Sequence, residues 1–272
     1  MPDARQEIAA AALNGAIYVI GGFDGSGQST SSVFVFNPRS NTWSTATSLP
    51  LANNHGAAAV ANGRLYAFGG VSNRAFVYDP AGNSWSEVAA MNFEHGNTAA
   101  VAVISNRIYV AGGTGAAATQ REAEVYDPAA NTWRPLAPMN VGRNHCAGGA
   151  IDGLFYVVGG RDSAGSDVAL EVYDPATNRW TTRAPMPTGR SGIAAGVVGD
   201  QLYVFGGEIP ALHNEVESYD PASNTWRQHP PMPTPKHGIW AAVMGNVIYL
   251  PGGATVQGIG ATASFESFTV GR

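Results

Sequence analysis

Apolar and polar positions along this chain follow one order that recurs with a long period. A tail of small or branched apolar residues, such as "AAAAL", "GAAAV" or "IAAGV", leads into a turn and a second apolar run that closes on Gly-Gly. The second run appears six times: "IYVIGG", "LYAFGG", "IYVAGG", "FYVVGG", "LYVFGG" and "IYLPGG", ending at Gly22, Gly70, Gly113, Gly160, Gly207 and Gly253. The steps between them are 48, 43, 47, 47 and 46 residues. After each of the first five comes a third short run, a turn and a tryptophan: "FNPRSNTW" to Trp43, "YDPAGNSW" to Trp85, "YDPAANTW" to Trp133, "YDPATNRW" to Trp180 and "YDPASNTW" to Trp226. Short apolar or alternating runs bounded by Gly, Pro, Asn and Asp predict strands and turns. Each unit therefore predicts four strands, A to D. Gly-Gly supplies positive φ where B leaves the sheet, and Asp-Pro sets the entry to the C–D turn.

Four-stranded antiparallel units repeating at this length bury their faces by stacking into a closed ring, a β-propeller. The Gly-Gly pair, the spaced Tyr and the later Trp resemble the kelch repeat over nearly the whole chain, with five complete copies and a partial sixth. That resemblance implies an all-β, six-bladed kelch-type propeller with four-stranded antiparallel blades. It forms one domain over residues 1–272, with blades at about 1–50, 51–92, 93–140, 141–187, 188–233 and 234–272. In this family strand A is innermost, which explains the small tails, because side-chain volume is scarce near the axis. Trp43 and Trp133, on outer D strands, fill the wedge between blades. The last unit is incomplete: "SFESF" resembles strand C, but no turn or Trp follows, while "MPDAR" at the start aligns with the end of a D strand, as in "MPTGR" from Met186. The expectation is 23 blade strands and an open edge on the last blade, exposed to pairing with another chain.

Composition narrows function without naming it. Charged residues are 13% of the chain and the formal net charge is −5, with no basic cluster, which argues against nucleic acid or anionic membrane as partner. Cys146 is the only cysteine, so no intrachain disulfide forms. No apolar run approaches the ~18–20 residues that span a bilayer. "MPDARQEI" lacks the basic and apolar regions of a signal peptide, so the expected location is cytoplasmic, with secretion or a periplasmic location requiring a leader already removed. A monomer is expected.

The D–A connections carry the candidate chemistry. In an up-and-down meander they lie on the same face as the B–C loops, so six polar heads surround one mouth of the central channel. Aligned heads place Arg5, Asn53, His95, Arg143, Arg190 and Lys236 at one register, with one residue inserted in blade 3. Two residues later stand Glu7, His55, Asn97, His145, Gly192 and Gly238. Kelch propellers that bind acidic peptides contact them through arginines at the first register, and the resemblance carries this to Arg5, Arg143 and Arg190. An Arg fork suits carboxylate or phosphate. Asn53, His55, Asn144, Ser191, Lys236 and His237 complete the expected ligand-binding set, and Trp240 either plugs the channel or offers a ligand a flat apolar face. Asp162, Glu208 and His213 are rim candidates on B–C loops of uneven length. The expected ligand is an anionic small molecule or an acidic peptide or protein.

The alternative is a cofactor-independent acid–base enzyme (isomerase, mutarotase, lyase or cyclase) using His95, His145 and Glu7 at the same mouth. Bacterial kelch proteins similar to the sialic acid mutarotase show that such propellers can catalyse isomerisation. No metal site is expected, since His55, His95 and His145 lack any short ligand spacing. No cofactor is expected either: the Gly-Gly pairs are strand-end turns, not a phosphate-cradling loop that opens a helix. Cys146 should pack rather than react.

Overall fold

Gly, Asn and Asp turns cut the chain into short antiparallel meanders, and in the computed structural model these stack as six radial blades. The structure describes residues 1–115 and 119–271. Among them are 25 strands, of which two (Arg161–Asp162 and Gly165–Ser166) form a small hairpin inside the B–C loop of blade 4. The remaining 23 build the blades. Blade 1 is typical, with A at Ala9–Leu13, B at Ala16–Ile20, C at Val33–Asn37 and D at Thr42–Ala46, paired in that order. Blade 6 has only A (Ala242–Met244), B (Val247–Pro251) and C (Phe265–Thr269). Each strand A lies beside the A strand of the next blade, and that of blade 6 lies beside that of blade 1, so the ring is closed.

Core side chains fill the six seams between blades rather than one central mass. The seam between blades 1 and 2 holds Ala9, Tyr18 and Leu49 against Ala58, Phe76 and Tyr78; the seam between blades 6 and 1 holds Ala242 against Ile8, Val19 and Phe34. Alanines sit near the axis and aromatics outward, matching the widening wedge.

The conserved spelling of each C–D turn has a mechanical reason. The Tyr hydroxyl ending strand C donates to an Asn side chain in the turn, as in Tyr126 to Asn131 Oδ1 at 2.7 Å. That Asn sits at positive φ, which Asn tolerates better than most residues, and its Oδ1 also accepts the backbone N–H of Ala89 in the preceding blade at 2.9 Å. Trp133 then donates Nε1–H to the carbonyl of the same Ala89 at 2.9 Å. The motif thus grips one residue just past the neighbouring D strand by both its polar backbone groups. Blades 2, 4 and 5 repeat the clip on Thr47, Ala137 and Ala184. Blade 1 has Phe36 in place of the Tyr, and its neighbour, blade 6, has no D strand. Its seam is instead filled by a cluster of Phe36, Trp43, Tyr249 and Phe265, with ring centroids 4.5 to 6.3 Å apart.

A candidate anion- and metal-binding mouth

The D–A connections converge on one face, as their heads require. At the second register the backbone makes a closed ring of hydrogen bonds around the axis. Glu7 N–H donates to Gly238 O, Gly238 to Gly192, Gly192 to His145, His145 to Asn97, Thr98 to His55 and His55 to Glu7, at 2.8 to 3.1 Å. Blade 3 contributes two consecutive residues to this ring, which is where its inserted residue goes. All the members have positive φ, between 48° and 64°. Glycine adopts that region freely, whereas bulky residues there cost on the order of 1–3 kcal/mol each. The glycines of blades 5 and 6 also make room: a Cβ on Gly238 would lie 2.6 Å from Glu7 Oε1.

The first register points elsewhere. Arg143 and Arg190 are fully buried and pair with Glu171 and Glu217, each on strand C of its own blade. His95 faces Glu124 and Lys236 faces Glu266 in the same way, at 3.3 and 3.2 Å. Burial pushes the Lys236 ammonium down, and Glu266 offsets part of the fall. Where strand C carries Phe instead of Glu, the head is held differently. Arg5 lies over the Phe34 ring at 5.1 Å, and in blade 2, beside Phe76, the head is Asn53, bonded to Gly69 O and to the Val71 N–H. The arginines expected at the mouth, with His95 and Lys236, therefore serve inside the blades. The heads lie just before strand A and the carboxylates on strand C, so the pairs form across the end of strand B, where Arg143 and Arg190 also donate to the carbonyls of Val157 and Val204, and each buried arginine needs its carboxylate.

Glu7, His55, His145 and His237 do come together. Glu7 Oε2 is 3.3 Å from His55 Nε2, and Glu7 Oε1 is 3.5 Å from His237 Nδ1. His237 Nδ1 is also 3.5 Å from Glu208 Oε1, which accepts from Arg161 Nη1 at 2.6 Å. Arg161 reaches Ser191 Oγ at 3.3 Å through Nη1 and His145 Nε2 at 3.1 Å through Nη2. Because an Arg can only donate, His145 Nε2 accepts, and its proton sits on Nδ1, which donates to Asn144 Oδ1 at 2.6 Å. His55 repeats the arrangement, with Nδ1 at 2.5 Å from Asn54 Oδ1.

Protonation differs within the cluster. Burial, helped by the charges of His55 and Arg161 and opposed by Glu7, holds His145 down at about 3, so it is neutral at ordinary pH. Burial also pulls His237 down, but its hydrogen bond to Glu7 and the charges of Glu7 and Glu208 outweigh this and raise it. For Glu7, burial pushes upward, yet His55, His237 and His145 together hold it well below the usual carboxylate range.

Arg161 is the member that sequence reasoning missed, although a register marks it. In every blade but the second, the residue after Gly-Gly forms a two-hydrogen-bond bridge to the middle residue of the head, as Arg161 does with Asn144, Glu208 with Ser191 and Ala254 with His237. Reading one residue beyond Gly160 finds it. Glu208 joins the cluster as a rim residue should. Asp162 instead caps its own hairpin through Ala164 N–H, and His213 pairs with Glu215 at 3.1 Å. Trp240 is half-buried and packs against the cores of two seams, blades 2 to 3 and blades 6 to 1, so its indole lies across the channel. It borders a cavity of about 390 Å³ lined by A strands. Cys146 is buried, and burial pushes its thiol up, away from nucleophilic use.

Comparison with known proteins adds a frame. A family profile described as the KLHDC2/KLHL20/DRC7 Kelch-repeats domain matches residues 1–148 and 144–265. An F-box/kelch-repeat protein of Arabidopsis thaliana is 41% identical over 70 residues, 26% of this chain and 19% of that protein. A kelch domain-containing protein of Sulfurisphaera tokodaii is 45% identical over 56 residues, 21% of this chain and 8% of its own length. The matched stretches thus span a fifth or less of these curated relatives. The solved structure of YjhT superposes with a TM-score of 0.84 at 16% identity, over 99% of this chain and 96% of that one.

Proposed function

This chain belongs to the kelch-repeat β-propeller family, and from that premise we propose that its D–A/B–C mouth is a recognition site for a carboxylate-bearing ligand, a small molecule or an acidic peptide. The family supplies a binding scaffold; the ligand must be argued from the site. The observation that carries the reading is the guanidinium of Arg161. Its Nη1 is taken up by Glu208 and Ser191 and one Nη2 hydrogen by His145. Nε–H and the second Nη2 hydrogen have no partner among the described residues. They form the side-on edge of the fork, the edge that accepts a carboxylate bidentately. The side chain is 24% exposed, so the edge is reachable while its far side is held rigid. His237, raised toward its cationic form, balances the buried Glu7, so the floor does not repel an anion outright.

The test is calorimetric titration with acetate, succinate, citrate and a short poly-aspartate peptide. At least one should bind, and Arg161→Gln should weaken it about tenfold or more, the scale of a lost charge-assisted hydrogen-bond pair. Equal binding by the wild type and a folded Arg161→Gln variant would place recognition elsewhere.

A further inference from the structure

We infer that Glu7, His55 and His145 form a binding site for a first-row divalent metal ion of the zinc, cobalt or nickel type. Each offers one ligand atom, and the three atoms lie within 4.8 Å of one another, drawn from blades 1, 2 and 4. The Glu7 Oε2 to His55 Nε2 distance of 3.3 Å is the separation expected of two donors each about 2.0–2.1 Å from one tetrahedral ion. Imidazole and carboxylate donors in this number suit these metals and leave room for water or a ligand.

Two further observations support the site. Both histidines aim Nε2 inward while Nδ1 is held by the side-chain oxygen of the preceding Asn, Asn54 for His55 and Asn144 for His145. That is the outer-shell arrangement that fixes the tautomer and orientation of a metal-bound imidazole. Asn54 is itself anchored on Ser29 Oγ at 2.7 Å. In addition, Glu7, His55 and His145 all hold positive φ at ring positions that blades 5 and 6 fill with glycine. Strained backbone beneath three convergent donors is costly for a purely structural ring. Arg161 is the guard of this site: its Nη2 occupies the lone pair of His145 Nε2 that an ion needs. Metal entry therefore requires the guanidinium to turn away.

The inference stands apart from the anion reading, and its test uses metal alone. The chelator-treated protein is titrated with Zn²⁺ by calorimetry and with Co²⁺ by visible absorption. One ion per chain is expected, with the Co²⁺ ligand-field bands of a low-symmetry nitrogen–oxygen site. His55→Ala should abolish the bands. Asn54→Ala, which leaves every donor in place, should weaken affinity about 10- to 100-fold. Arg161→Ala should tighten metal binding, by roughly tenfold, because it removes a unit charge and frees Nε2. The same variant weakens carboxylate binding, so the two readings fail separately. A folded His55→Ala variant that binds Co²⁺ as the wild type does would overturn the site. So would loss of binding on removing only the remote His213 and His229.

Discussion

Two registers of the same polar heads, two residues apart, have opposite tasks. At the first, Arg143, Arg190, Lys236 and His95 turn outward along the blade and meet Glu171, Glu217, Glu266 and Glu124 on strand C. At the second, Glu7, His55 and His145 turn toward the axis and meet one another. Composition does not separate the two sets, since both mix basic side chains with carboxylates. What separates them is whether the partner lies in the same blade or in a different one. An intrablade pair can be complete before the ring closes; an interblade cluster exists only in the assembled propeller. The first set therefore belongs to the stability of a blade, and the second is where we place the proposed site of the whole.

The largest expected effect breaks the first set. Arg190→Ala leaves Glu217 as an unpaired buried carboxylate, and losses of about 3–5 kcal/mol follow from such isolation. Urea unfolding should show this as a lower midpoint. Replacing both partners with apolar residues, as in Arg190→Met with Glu217→Leu, should recover most of the loss. Blade 1 already shows an intermediate solution, where strand C carries Phe34 and the cation rests on its ring. If Arg190→Ala costs under about 1 kcal/mol, the outward register is not the structural one.

Gly238→Ala tests the boundary between the registers. Its Cβ would lie 2.6 Å from Glu7 Oε1 and its φ of 60° disfavours any side chain. We expect a cost of about 1–3 kcal/mol, seen as a lower thermal midpoint, together with weaker Co²⁺ binding as Glu7 is displaced. Gly199→Ala is the control: it has similar φ but open space around it, so it should lower stability alone.

Much of the fold could be read from the chain because its motifs act locally. "YDPAANTW" spells a Tyr–Asn contact within one turn and a Trp–backbone contact to the preceding blade, and repetition made it visible. The heads were legible as heads, and so was their spacing of two. Which register faces the channel was not, because it depends on the carboxylates of strand C, about thirty residues further along the chain in each blade. Those carboxylates were in view as the second residue of "AEVYD", "LEVYD", "VESYD" and "FESFT", with Phe at that place in blades 1 and 2. Arg161 was hidden for another reason: it opens a variable B–C loop, and only the bridge to Asn144 shows where it belongs. The backbone ring has no signature beyond Gly192 and Gly238, since Glu7, His55 and His145 adopt the same φ against their preference.

That last point yields the smallest predicted effect on stability and the sharpest contrast. His55→Gly removes a side chain from a positive-φ position, relieving about 1 kcal/mol of backbone strain. It also forfeits the hydrogen bond to Asn54, the edge contacts with Phe23 and His145, and the contact with Glu7. His237 still faces Glu7, so the carboxylate is not isolated. These terms oppose each other at similar size, and the net change in unfolding free energy should stay within about 1 kcal/mol. Metal binding at the mouth should nevertheless be lost. A residue whose removal leaves the fold standing and empties the site is the reverse of Arg190, whose removal weakens the fold while every donor at the mouth remains. If His55→Gly instead destabilises the protein as much as Arg190→Ala, the inner ring is a structural element like the outer pairs, and the distinction between the registers disappears.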